Sequence, residues 1–173
     1  MNSRREFLST TSTLIGAAAV SAMLPERQLY ATGQRALTDL SAVDAVAAMR
    51  NGDINAEDYA KALLDRADAL HSLNAFLTLD REMVLDAARA ADNRRSTGIR
   101  LGALHGLPIP EKDSVNTKAL PRTNGTPALR NYRPKDDAAA IKPLFAQGAI
   151  LMGKTNMHEL SHGLPATTSP SVR

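Results

Sequence analysis

The chain has 173 residues, 43% hydrophobic and 23% charged, with a net charge of +3; this suits one ordinary globular domain with room for a core and excludes wholesale disorder. Basic residues are scattered, so pairs such as Arg94-Arg95 read as solvated helix-end charges and not as a nucleic-acid patch. There is no cysteine and no tryptophan, which excludes disulfides, thiol catalysis and thiolate metal sites and leaves aliphatic side chains and alanine to fill the core.

The first segment reads as an address. Ser3-Arg4-Arg5-Glu6-Phe7-Leu8 opens it, and no charge occurs from Phe7 to Leu24. A charged start, a mildly apolar middle and small residues after it form the layout of an export signal, and the Arg-Arg pair before Phe-Leu resembles the twin-arginine type. The stretch is short for a membrane span and carries several Ser and Thr. Residues 1–31 are therefore read as an export signal, with Ala22 and Ala31 both open as cleavage positions, and its removal is expected to leave a periplasmic or secreted product with no membrane association. Residues 38–173 remain for fold reasoning.

Residues 39–50 carry Leu40, Val43 and Ala47 at helical spacing and end at Asn51-Gly52, which predicts a helix with a stop. Asn55 is the expected N-cap of a second helix with Glu57 and Asp58 in its first turn, and Tyr59, Leu63, Ala67 and Leu70 are its expected buried stripe. Residues 75–79 have strand character. An alanine-rich helix is expected over 81–93, with Met83, Val84, Ala87, Ala88 and Ala91 inward. Leu107-Pro108-Ile109 reads as a buried strand, and residues 114–134 as a loop rich in Thr, Asn, Gly and Pro. Asp136 and Asp137 introduce a helix to Gln147, weakened by Pro143 and ended by Gly148. A second buried strand follows over 149–152. This order predicts an α/β fold with a largely buried sheet.

Three stretches carry a resemblance. The first is Leu104-His105-Gly106-Leu107-Pro108-Ile109 running into Lys112-Asp113. The second is Thr123-Asn124-Gly125-Thr126-Pro127-Ala128-Leu129. The third combines Asp136-Asp137-Ala138-Ala139, Gln147-Gly148-Ala149-Ile150 and Gly153-Lys154-Thr155-Asn156-Met157-His158-Glu159-Leu160. In order and spacing, over about residues 40–164, they resemble the amidase signature family, and the resemblance implies the N-terminal part of its α/β fold, a mixed sheet covered by helices. The resemblance implies hydrolysis of a small-molecule carboxylic amide by a Ser–cis-Ser–Lys triad, with no metal or organic cofactor. It also implies that Lys112 is the catalytic lysine. A serine hydroxyl is a poor nucleophile until a neighbour takes its proton, and a lysine can do so only while neutral, a state that burial favours.

The chain departs from the pattern in several ways. The glycine-serine-rich segment that should carry the relay serine is absent, and Ser161, Ser169 and Ser171 have no glycine-rich context. At most one of the three triad residues is expected here, so the chain reads as a truncated, incomplete amidase domain, with a frameshift near residue 165 as one origin. A non-catalytic remnant or interaction partner is the alternative reading. Pro110 and Glu111 stand before Lys112, where apolar residues are usual; proline cannot donate to a strand ladder, and a buried carboxylate beside the lysine would favour its charged form. His158-Glu159-Leu160-Ser161-His162 also fits the zinc-protease pattern, which needs a helix and a third ligand that Gly163 and Pro165 leave little room for. His105 is expected to hydrogen-bond in its loop and not to catalyse. Neither the particular amide nor the oligomeric state is readable from these residues.

Overall fold

The computed structural model describes residues 36–162; the export signal expected over 1–31 and the tail from Pro165 lie outside the described residues. Helix α1 (Ala42–Asn51) starts where the Ser41 hydroxyl accepts from the Asp44 N–H at 3.1 Å. It ends at Gly52, whose φ of 82° gives the left-handed C-cap that a side chain disfavours. Ala45, Val46, Ala48 and Met49 are its buried face.

Helix α2 (Ala56–Ala69) begins after Asn55 as expected, but the Asn55 side chain makes no capping bond to it. The cap comes from elsewhere in the chain. Asp92, in helix α3 (Arg81–Ser96), accepts from the Ala56 N–H at 2.9 Å and the Glu57 N–H at 3.0 Å. A carboxylate at the positive end of a helix satisfies two orphan donors and the dipole together. The buried face of α2 is Ala56, Tyr59, Ala60 and Leu64. This differs from the expected stripe: Leu63 and Ala67 are partly buried and Leu70 is 44% exposed. The small alanines allow α3 to approach closely, and its Val84, Leu85 and Ala88 close that layer. The Asp80 carboxylate caps α3 by accepting from the Met83 N–H at 3.0 Å. Outside, Arg81 bridges Asp65 and Asp68, and Arg89 bridges Glu57 and Asp86; pairs this exposed contribute little.

Among the described residues three strands form one mixed sheet in the order β1-β3-β2. Strand β1 (Phe76–Thr78) runs antiparallel to β3 (Ile150–Thr155), and β2 (Pro108–Lys112) runs parallel to it. This is the mixed sheet covered by helices that the resemblance implies. Pro108 and Pro110 are accommodated because, among the described residues, β2 pairs on one side, and the register slips between Ile109 and Pro110. The helix expected from Asp136 shrinks to α4 (Lys142–Ala146), with Pro143 in its first turn, where a missing N–H leaves no intrahelical bond unmade. Asp137 does not cap it; its carboxylate accepts from the Lys118 N–H at 2.7 Å.

The segment before β2 lies backbone to backbone on the end of α4. The Leu104 N–H donates to the Gln147 carbonyl at 3.0 Å, and a Cβ on Gly102 would come within 2.2 Å of that carbonyl oxygen. His105 is buried here, and burial pushes its pKa down. Among the described residues no helix is long and apolar enough to cross a membrane.

Two outcomes follow from this packing. Replacing Asp92 with alanine removes the α2 cap and lowers unfolding free energy by about 1–2 kcal/mol in urea titration. Because His105 titrates lower when folded than when unfolded, the unfolded chain binds more protons below pH about 6.5, and stability falls as pH drops through that window. The substitution His105→Gln flattens that acid slope in thermal melts at successive pH values.

Candidate functional site

Lys112 ends β2 and its side chain is exposed on a cleft of about 590 Å3. The cleft is lined by Leu73, Asn74, Ala75, Thr155, Asn156, Met157, His158 and Ser161 as well as the lysine. Its second wall is tied to the first across the sheet. The Asn156 N–H donates to the Ala75 carbonyl at 2.8 Å, and the Asn156 side-chain amide donates to the Asn74 carbonyl at 2.9 Å. A larger apolar groove of about 760 Å3 runs beside α3 and Phe145, and it contains neither Lys112 nor Ser161.

The residue after the lysine organises the floor. Asp113 is fully buried, and its carboxylate accepts from the Thr123 N–H at 3.0 Å, the Thr123 hydroxyl and the Gly125 N–H at 3.1 Å. Its own N–H donates to the Thr155 carbonyl at 3.2 Å, continuing the β2–β3 ladder past Lys112. A buried carboxylate is tolerated because donors surround it. Gly125 has φ 67°, and a Cβ there would lie 3.0 Å from the Met157 carbonyl oxygen, so the 123–125 turn presses on the 157–159 backbone.

The buried lysine of the site is Lys154, not Lys112. Lys154 lies on the central strand with no exposed surface, and its ammonium donates to the Val115 carbonyl. Burial pulls its pKa down, while the nearby Asp113 and Glu111 carboxylates pull it back up. The burial that would favour a neutral lysine is therefore not found at Lys112 among the described residues. Alternation along β2 is the reason: Glu111 pairs in register with Lys154, and Lys112 with Thr155 on the opposite face. The same alternation disposes of the expected conflict at Glu111. Its carboxyl is raised by burial and lowered by Lys154, so its charge partner is the buried lysine.

The His158–His162 segment is not an α-helix. Residues Glu159–Ser161 form a 3-10 turn with Leu160 at φ 51° and Ser161 at φ 61°. The one-face arrangement of two histidines that the zinc pattern requires is not formed. That turn instead brings Ser161 to Lys112, with Nζ 3.3 Å from the hydroxyl oxygen. In the sequence these two residues stand in separate motifs. A lysine inside the apolar run Ile150–Thr155 is the one available signal for Lys154.

Removing the Asp113 carboxylate strands the buried Thr123 N–H and hydroxyl and leaves the Gly125 N–H with the Thr123 oxygen alone. Asp113→Ala is expected to cost about 3 kcal/mol in chemical denaturation, and to expose the Gly125 amide to hydrogen exchange well before α1 and α2 open.

A family profile described as Amidase matches residues 58–172. A glutamyl-tRNA(Gln) amidotransferase subunit from Salinispora arenicola is 41% identical over 128 residues, which is 73% of this chain and 26% of that protein. Indoleacetamide hydrolase from Bradyrhizobium diazoefficiens is 43% identical over 122 residues, 70% of this chain and 23% of that protein. The structure of peptide amidase from Stenotrophomonas maltophilia superposes with a TM-score of 0.65 at 34% identity, covering 70% of this chain and 25% of that one. The chain thus spans about a quarter of the length of the relatives it matches.

Proposed function

The chain belongs to the amidase family, and on that premise we propose that it contributes the general base, Lys112, to hydrolysis of the C–N bond of a small or aromatic carboxylic amide. The observation that carries the reading is the position of Lys112: it ends β2 at the mouth of a cleft, with Asp113 locking the backbone directly behind it. In the proposed reaction a serine hydroxyl attacks the amide carbonyl while the lysine, through a second serine, accepts its proton. The proton then leaves with the amine as the C–N bond breaks, and water releases the acid from the acyl-enzyme. Both serines come from outside the family motifs present in these 173 residues. Lys112 must shed its proton to act, so the parts of the protein that carry the serines must also cover the cleft and withdraw the amine from water.

The purified 173-residue chain is expected to release no ammonia from simple amides. A chimera with residues 36–162 in place of the matching segment of the Bradyrhizobium indoleacetamide hydrolase is expected to hydrolyse its amide. Lys112→Ala in that chimera should lower kcat/KM by about a thousandfold, the scale of a lost general base. Full activity in the alanine chimera would remove Lys112 from the mechanism.

The address is a separate proposal resting on Arg4-Arg5 and the uncharged stretch 7–24: the chain leaves the cytoplasm by a twin-arginine route. Cell fractionation should find it outside the cytoplasm, and replacing both arginines with lysine should retain it inside.

A further inference from the structure

A closed circuit of contacts begins and ends at Lys112. Asp113, the next residue, holds Thr123 and Gly125 through its buried carboxylate. Between those two residues, the Asn124 carbonyl accepts from the Leu160 N–H at 2.8 Å. Gly125 packs closely against Met157 and Glu159, where a Cβ would lie 3.0 Å from the Met157 carbonyl oxygen. This pins the 158–161 turn from below. Leu160 and Ser161 then take consecutive left-handed conformations, which are uncommon for residues with side chains and persist where surrounding structure enforces them. The result of that enforcement is visible: the Ser161 hydroxyl oxygen stands 3.3 Å from the Lys112 amine, on the same cleft.

We propose that Ser161 is a positioning residue for Lys112. Its hydroxyl accepts one N–H of the amine, which fixes the side-chain torsions of a long, otherwise mobile lysine and sets the direction of the remaining nitrogen valences over the cleft. Ser161 is not the nucleophile in this assignment. The main-chain N–H groups of Ser161 and His162 are already spent on the His158 and Glu159 carbonyls, so neither is free to stabilise an oxyanion beside the hydroxyl. The proposal rests on the reading of Lys112 as the base, and it specifies how this chain orients that base before any serine arrives.

The test measures the amine itself in the full 173-residue chain. Trace labelling with isotopic acetic anhydride, read by peptide mass spectrometry, gives the acetylation rate of Lys112 relative to the exposed Lys142 and Lys135 in the same sample. An amine held against the Ser161 hydroxyl on the cleft is open to the anhydride over fewer directions than one free to swing into solvent. Ser161→Ala is therefore expected to raise the Lys112 rate about threefold against both references, the scale of one solvent-facing hydrogen bond. Ser161→Gly should do the same while relieving the left-handed backbone, which separates loss of the hydroxyl from release of strain. Ser161→Asn, whose carbonyl accepts and whose backbone tolerates this conformation, should restore the original ratio. Unchanged Lys112 rates in the alanine and glycine variants, or equal acceleration of all three lysines, would overturn the proposal. Either result leaves the assignment of Lys112 as the base to the chimera assay. A chimera indifferent to Lys112→Ala removes the base while the labelling ratios still report whether Ser161 holds the amine.

Discussion

The arrangement around Lys112 depends on one buried carboxylate. Asp113 has no exposed surface, and an isolated carboxylate in that position would be expelled or neutralised. It is retained because the chain wraps donors around it: two main-chain N–H groups and a hydroxyl from a turn ten to twelve residues further on. That turn has no helix or strand to define it, so the carboxylate acts as its template. Because Asp113 adjoins Lys112, whatever fixes one also fixes the backbone of the other.

A second consequence concerns the two lysines. They sit one register step apart on neighbouring parallel strands, and strand alternation sends them to opposite faces. Lys154 goes inward, where desolvation works against its charge and Glu111 and Asp113 work for it. It ties the strand to the turn after Lys112 through the Val115 carbonyl. Lys112 goes outward to the cleft. One lysine thus serves the interior and the other faces the cleft, a division set by the pleat and not by residue type.

The helical layer illustrates where local reasoning holds. The positions of α1 to α3 and the Gly52 stop follow from short-range patterns, and the structure shows these helices where those patterns put them. Reasoning from neighbours fails at α2. Asn55 is a good capping residue, yet the bonds go to Asp92, which is 36 residues from Ala56. The buried stripe also turns toward Ala56 and Ala60, because close approach of α3 rewards small side chains over long ones. Pro143 gives a shorter helix in place of the weakened longer one, since proline is compatible with a first turn.

By itself the sequence determined the class of fold, the approximate elements, the family and the motif position of Lys112. These depend on periodicity, on punctuation by glycine and proline, and on the order of residues along the chain, all of which are local or linear. Tertiary structure decided which lysine is buried, what caps α2, what carboxylate organises the turn, and that Ser161 reaches Lys112 across 49 residues. Those facts depend on which face of a strand a side chain occupies and on the close approach of distant backbone. A one-residue change in register reverses the first, and only the assembled packing sets the second.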